Sequence, residues 1–340
     1  MSEYDSSFDS FSEDDIRPDR FEKMRVEAYV KDLDWLRSKL DTFVDVPCPA
    51  CCCNRYTPRF KKELFTFVEC EKCGTVYMSP RPLSETMAEY YKISEHYRVW
   101  AKYIFPASEN SRKALLYRTR VERLRDICAE RNISNPRIVE VGGGSGSFAE
   151  VANQSGFFED IVVIEPTPDL ANTCREKNLT VIERCIEEVS PEMINANVIV
   201  SFEVIEHLID PGIFLQQVSR VLAPGGLLVL SCPNAVGFDT ILLEGLSNAY
   251  SWDHVNLFTI KSLPLLLEYH GFGEIKIETP GRLDAELVRK AALSGEYTLN
   301  NRFLERILLE EWDLLGSKFQ KFLADNLLSS HMWAQCLKNA

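Results

Sequence analysis

The sequence has no uninterrupted apolar run long enough to cross a bilayer, which excludes a membrane-spanning helix. It also lacks an apolar leader. The opening Met-Ser-Glu-Tyr-Asp-Ser-Ser is acidic and polar, so no secretory signal is expected there and a cytoplasmic setting is. Positive charge is scarce as well. Lys and Arg number 38 against 51 Asp and Glu, a formal net charge of −13. A long nucleic-acid backbone suits such a chain poorly, because that binding rests on clustered Lys and Arg. Arg55, Arg59, Lys61 and Lys62 are the one obvious basic cluster. Cysteine is plentiful, but six of the eleven crowd between Cys48 and Cys73. Without a signal peptide, that crowding reads as a metal site in a reducing compartment and not as a disulfide framework.

The 340 residues leave room for about two or three domains. Residues 1–20 are rich in Ser, Asp and Glu with no apolar period, and a disordered acidic tail is expected. From Phe21 to Leu40, apolar residues recur at helical spacing. Next come Cys48-Pro-Ala-Cys51 and Cys70-Glu-Lys-Cys73-Gly74. Two C-x-x-C pairs around a hairpin-sized loop read as a zinc ribbon, with each pair presenting two thiolates to one tetrahedral ion. Cys48, Cys51, Cys70 and Cys73 are the expected ligands, and a closed site of four thiolates is structural. Cys52 stands where the second pair has Gly74, and Cys53 follows. The choice among Cys51, Cys52 and Cys53 stays open, as does a cluster of free or redox-active thiols. Residues 59–69 read as strand, with Val76 and Tyr77 adding another. Residues 81–134 read as a helical cover in which Tyr97 and Trp100 either face an acceptor or pack the linker.

The centre of the chain is Arg137-Ile-Val-Glu-Val-Gly-Gly-Gly-Ser-Gly-Ser-Phe-Ala-Glu150. A short apolar strand, a glycine turn and a helix start follow in that order. The glycines let a ligand approach bare backbone, and the helix start offers unpaired N–H groups. Gly144, Gly146 and Ala149 fit the dinucleotide pattern G-x-G-x-x-A. Glu140 argues against a pyrophosphate there, since its carboxylate would repel phosphate and suit a cationic amine. S-adenosylmethionine carries an ammonium and a sulfonium and no phosphate. Val139-Glu140-Val141-Gly142-Gly143-Gly144-Ser145-Gly146 resembles the first motif of the class I S-adenosylmethionine-dependent methyltransferases. Short apolar runs alternating with helical patterns over residues 135–280 read as a parallel α/β sheet.

Further segments carry the same resemblance. Glu165 ends the second strand, where an acidic side chain can accept from both ribose hydroxyls. The stretch from Ser201-Phe202-Glu203 to His207 resembles the family's fourth motif. Arg220 to Asn234, through Ala-Pro-Gly-Gly, resembles its following helix, turn and fifth strand. The resemblance implies a Rossmann-like core with a seven-stranded, mostly parallel sheet. It also implies cofactor contacts at Glu140, Gly142, Gly144, Gly146, Glu165, Ile186, Glu187, Ser201, Phe202 and Glu203. Asp253-His254-Val-Asn-Leu-Phe-Thr resembles a loop of ubiquinone-pathway-like and polysaccharide-cluster methyltransferases. There His254, helped by Asp253 or His207, is the expected general base, or else it only orders its loop; capping is the other reading of His207. Tyr97, Trp100 and Asn234 are the expected acceptor contacts. Residues 281–328 read as a helical insertion and 329–340 as a last strand. The subgroup that also carries a zinc ribbon implies O-methylation of a sugar or nucleotide-sugar in polysaccharide biosynthesis. RNA or another macromolecule, and a small phenol or quinone, are the alternatives.

Overall fold

The structure is a computed structural model and describes residues 11–194 and 196–339. Among these the strands, in chain order, are β1 (Tyr56–Lys62), β2 (Phe65–Cys70), β3 (Val76–Met78), β4 (Arg137–Val141), β5 (Asp160–Ile164), β6 (Thr180–Ile182), β7 (Ala196–Phe202), β8 (Leu222–Pro233), β9 (Asn256–Leu257), β10 (Phe272–Glu278) and β11 (His331–Lys338). They form one sheet of order β10-β11-β8-β7-β4-β5-β6 and one of order β1-β2-β3-β9. Packing divides the chain into two units. One is Met1–Glu109, Pro233–Ser262 and Glu278–Met332; the other is Asn110–Cys232, Leu263–Ile277 and Trp333–Ala340. Residues 233–262, expected within the core, thus group with the N-terminal segment.

The second unit holds most of the seven-stranded sheet. β4 pairs in parallel with both β5 and β7, β5 with β6, and β7 with β8. A parallel sheet covered on both faces needs strands that are apolar throughout. Val198, Ile199 and Val200 of β7 and Leu227 to Leu230 of β8 meet that need, all at 0–1% exposure. Each such side chain contributes roughly 1.5–3 kcal/mol by leaving water. From β4 the chain steps outward to β5 and β6, then returns to β7 on the other side. Ligands of open α/β sheets bind at such a reversal, outside the carboxyl ends of the strands. The glycine turn after β4 occupies that position.

Two expectations for these segments change. The turn Ala223–Gly226 does not separate helix from strand. The helix Pro211–Val221 passes directly into β8, and the pairing jumps from Ala196↔Leu222 to Val198↔Leu227. The Pro-Gly-Gly residues therefore bulge out of a continuous strand, with Gly225 at φ 68°. The disordered tail does not extend through residues 11–20. Phe11 and Ile16 are buried, and Lys290 pairs with Glu13 at 3.2 Å. Residues 1–10 lie outside the described residues.

In the first unit, residues 59–69 are two strands and not one. β1 and β2 form an antiparallel hairpin that turns at Glu63, which takes φ 54°. β3 adds to β2. β9, from far along the chain, adds to β3 with Val76 opposite Leu257 and Tyr77 opposite Asn256. The helix Glu22–Arg37 buries Asp32. That carboxylate accepts from Tyr90 Oη at 2.8 Å, Ser94 Oγ at 2.6 Å and the N–H groups of Glu95 and His96. The insertion contains the helices Asp284–Leu293 and Trp312–Asp325, packed around Leu243, Val288, Leu308 and Leu323.

Candidate functional site

The glycine turn is built by close approach. Gly142, Gly144 and Gly146 all take positive φ, at 75°, 55° and 71°. A Cβ on Gly146 would sit 2.7 Å from Leu179 Cδ1 and 2.8 Å from Cys174 Sγ. A Cβ on Gly144 would meet nothing within 4 Å, so that residue faces open space. Together they bring bare backbone to the start of the helix Ser147–Ser155.

Two carboxylates flank the turn. Glu165, at the end of β5, accepts from Gly144 N at 2.9 Å and from Thr167 N at 2.9 Å. Burial raises its pKa, and the bonds from Thr167 and Gly144 oppose that rise. Glu140 is 4% exposed. Burial pushes its pKa up to about 8, against a hydrogen bond from the Ala149 N–H that favours the charge. Its Oε2 has no hydrogen-bond partner among the described residues. A buried carboxylate oxygen without a donor costs free energy until a donor arrives. An ammonium group answers that need and a phosphate does not, so the residues fit S-adenosylmethionine. When bound, that compound supplies an electrophilic methyl group.

The remaining residues expected near this cofactor vary in availability. Ile186 is buried and Glu187 exposed, in one short turn. Ser201 Oγ donates to Val141 O at 3.0 Å and ties β7 to β4. Phe202 meets Phe148 edge-on at 4.9 Å and stacks on Trp333 at 5.3 Å. Glu203 takes φ 56°, accepts from Ser231 Oγ at 2.5 Å and pairs with Arg120 at 3.4 Å. Arg120 also lies over the Phe202 ring at 4.7 Å. The sequence reading missed Arg120, which sits on a regular helix with no motif around it. His207 ends the short turn Ile205–His207.

The first unit holds the other candidates. His254 Nδ1 lies 2.8 Å from Ala249 O. A carbonyl oxygen only accepts, so Nδ1 carries a hydrogen. Asp253 accepts from Ser251 Oγ. Its charge acts on Tyr29, Tyr90 and His96. Asn256, two residues on, is fully buried and accepts from Arg81 Nη1 at 2.9 Å. Asn234 is fully buried too. Its Nδ2 donates to Ser329 O at 2.9 Å and its Oδ1 accepts from Val236 N at 3.2 Å, so its amide braces a turn. Trp100 Nε1 donates to His96 Nε2 at 2.9 Å, and Tyr97 meets Tyr91 edge-on at 5.7 Å. Both rings are half-buried.

Cys48, Cys51, Cys70 and Cys73 come together with all four Sγ atoms within 4.8 Å of one another. Cys48 and Cys73 are 3.5 Å apart, and Cys51 and Cys70 are 3.6 Å apart. Tetrahedral zinc with bonds of about 2.3 Å would separate its sulfurs by about 3.8 Å, so this donor set fits zinc with little movement.

Residues 112–276 match the family described as "Methyltransferase domain". The match covers just under half of the chain and supports an S-adenosylmethionine-dependent methyltransferase. Its fold is Rossmann-like, and its cofactor is S-adenosylmethionine. A ubiquinone biosynthesis O-methyltransferase of Rhodopseudomonas palustris is 24% identical over 65% of this chain and 94% of its own length. The C-methyltransferase NovU of Streptomyces niveus is 27% identical over 47% of this chain and 38% of its own. Another ubiquinone biosynthesis O-methyltransferase, from Bradyrhizobium, is 32% identical over 30% of this chain and 42% of its own. This chain therefore spans nearly all of the first relative and about two fifths of the other two. A solved methyltransferase of Thermotoga maritima superposes with a TM-score of 0.44 at 16% identity, over 71% of this chain and 99% of that one. The glycine turn and the thiol cluster belong to different units of the chain. No helix among the described residues is long and apolar enough to cross a membrane.

Proposed function

We propose that this methyltransferase acts on a hydroxyl group of a saccharide or nucleotide-sugar. The Nδ1 hydrogen bond of His254 carries this reading. Its Nδ1–H is committed to Ala249 O, so Nε2 is the ring nitrogen assigned to accept a proton from an alcohol. An alcohol needs that help, because an unassisted hydroxyl is a weak nucleophile at neutral pH. Glu140 takes the ammonium end of the cofactor and Glu165 its ribose. The backbone of Gly142, Gly144 and Gly146 admits the cofactor to the turn. Ile186, Glu187, Ser201, Phe202 and Glu203 complete its surroundings. Tyr97 and Trp100 offer half-buried rings suited to a sugar face. The four cysteines hold a structural zinc ion.

The similarity to NovU, described as a C-methyltransferase, favours a second reading. A base that removes a proton from carbon beside a carbonyl would give a C-methyl product from the same cofactor. The test is transfer of labelled methyl groups to a panel of nucleotide-sugars, saccharides, phenols and RNA, with the product's C–O or C–C linkage read by NMR. Label in a sugar hydroxyl is the expected result, as is a fall of roughly 10²–10⁴ in turnover for His254→Ala with cofactor binding retained. Label confined to RNA or a phenol, or full turnover in His254→Ala, would sink this reading.

A further inference from the structure

The segment that carries Tyr97 and Trp100 is built on one buried carboxylate. Ser94 donates to Asp32 and caps the helix Glu95–Val99, its Oγ accepting from Tyr97 N at 2.9 Å. The N–H groups of Glu95 and His96 reach the same carboxylate. Tyr90, which also donates to Asp32, lays its ring against Trp252, two residues before His254. The two expected acceptor rings and the loop of the candidate base thus share a support within the first unit.

After Val99 the helix widens. Phe105 N donates to Trp100 O, five residues back, and Trp100–Ile104 form a π turn. Such turns occur mostly at functional sites. The Trp100 ring packs against Ala28, Val99 and Ile104, with Phe105 at 5.3 Å. Its Nε1 donates to His96 Nε2 at 2.9 Å. An indole nitrogen only donates, so Nε2 carries a lone pair, the His96 ring is neutral and its hydrogen is on Nδ1. That nitrogen lies 3.4 Å from Arg25 O, which only accepts. The tautomer is thereby fixed from both sides. Tyr29 meets the imidazole edge-on at 5.4 Å. The single polar atom of the indole is committed within the protein. What the half-buried ring offers a ligand is its carbon and π surface, which suits the C–H face of a sugar.

We propose that His96 is a positioning residue, which fixes the Trp100 indole for the acceptor sugar. This rests on the reading of Trp100 as an acceptor contact. The charged and titratable groups around the imidazole are Glu22, Arg25, Tyr29 and Asp32 of the helix Glu22–Arg37, and Asp253 beside His254. Burial and the charge of Arg25 lower the pKa of His96 from 6.5, against the charges of Asp253 and Asp32 and the bond to Arg25 O. Protonation would put a hydrogen on Nε2 and set two donors against each other. The tie to Trp100 therefore breaks as pH falls below that lowered value.

The test uses the full-length protein as wild type, His96→Leu and His96→Gln. Glutamine keeps an acceptor for the indole N–H and does not titrate; leucine offers none. The five tryptophans give indole N–H signals by NMR, and Trp100→Phe assigns the relevant one. That signal is expected to move upfield in His96→Leu, and in wild type as pH falls, but to hold its place in His96→Gln as pH falls. Kinetics use the nucleotide-sugar that takes up label in the transfer assay, at saturating S-adenosylmethionine. His96→Leu is expected to raise KM for that sugar about tenfold, with kcat changed by less than about threefold and cofactor affinity retained. His96→Gln should stay within about threefold of the wild-type KM at neutral pH. The ratio of the wild-type KM to that of His96→Gln should climb as pH falls. An unchanged sugar KM in His96→Leu, or a ratio indifferent to pH, overturns the proposal while the sugar reading stands. Label in no sugar overturns that reading, and this role with it. Should His96→Leu fold poorly, the pH course of the ratio decides.

Discussion

The backbone N–H of Gly144 donates to Glu165 Oε2 at 2.9 Å. One carboxylate therefore both fixes the glycine turn and stands where the ribose is expected. Glu165→Ala removes the acceptor of two backbone N–H groups along with the ribose contacts. Hydrogen bonds to a charged group contribute about 1.5–3 kcal/mol each, so cofactor affinity is expected to fall on the order of 10²-fold. Calorimetric titration checks this, and an affinity within threefold of wild type would count against the assignment.

Glu140 gives a pH signature. Its pKa is raised from 4.5 to about 8. A raised carboxyl contributes stability that is present below pH 4.5 and is lost as pH rises through about 8. Binding of a cation runs the other way, because it favours the ionised form. Between pH 6 and 7.5, below the range where a ligand amine loses its proton, affinity for S-adenosylmethionine should rise by up to about tenfold per unit. Glu140→Gln should bind weakly with a flat profile. Parallel profiles for the two proteins would refute the role.

Gly143 and Gly144 separate packing from binding. A Cβ on Gly143 would lie 2.4 Å from Val163 Cγ1 and 3.3 Å from Glu140 Oε2. Gly143→Ala is therefore expected to lose about 1–3 kcal/mol of stability through overpacking. Gly144→Ala meets no neighbour and bears only the strain of its positive φ, about 1–2 kcal/mol. It should weaken the cofactor more than Gly143→Ala does. Thermal melts and titrations of the pair check the order.

Asp239 and Asp284 form a buried pair in the first unit, at 3% exposure each. Asp239 is pushed up to about 7, first by burial and then by the charge of Asp284. By the same sign, this part of the stability is present below about pH 3.8 and is lost as pH rises through about 7. Asp239→Asn keeps an acceptor for Ser247 Oγ, which bonds the carboxylate at 2.9 Å, and abolishes the titration. The melting temperature of the variant should vary less between pH 5 and 8 than that of wild type.

The core was legible because its signals are local. Strand β4, the glycines and the acidic strand ends lie within short windows where residue type dictates conformation. The two C-x-x-C pairs were legible for the same reason. What escaped depends on partners far along the chain. β9 is two residues long and is a strand only because β3 pairs with it. Asp32, a charged residue in a helix, gives no sign that Tyr90 and Ser94 will bury it. Asn234 leaves a strand end like a site residue, yet Ser329 and Val236 occupy its amide. The turn at Glu63 was missed because neither glycine nor asparagine marks it.

Metal removal should register at a distance in sequence. Val76 and Tyr77 follow directly on the Cys70–Cys73 knuckle, and they pair with Leu257 and Asn256. Met78 N donates to Val255 O at 3.0 Å. A chelator should therefore raise hydrogen exchange in a peptide covering residues 254–258 as well as in 48–78. Protection of 254–258 that is indifferent to the chelator would show that β9 holds its place without the thiol cluster.

The pairing of β9 with β3 also bears on how this protein can be cut. A chain trimmed to begin after residue 80 would leave the backbone groups of Asn256 and Leu257 as a bare strand beside His254. Such a fragment would expose a surface prone to sticking to its own copies. It would also release the loop that carries the candidate base. Work on residues 81–340 alone would then measure a damaged loop, so the cysteine hairpin belongs in the smallest piece worth expressing.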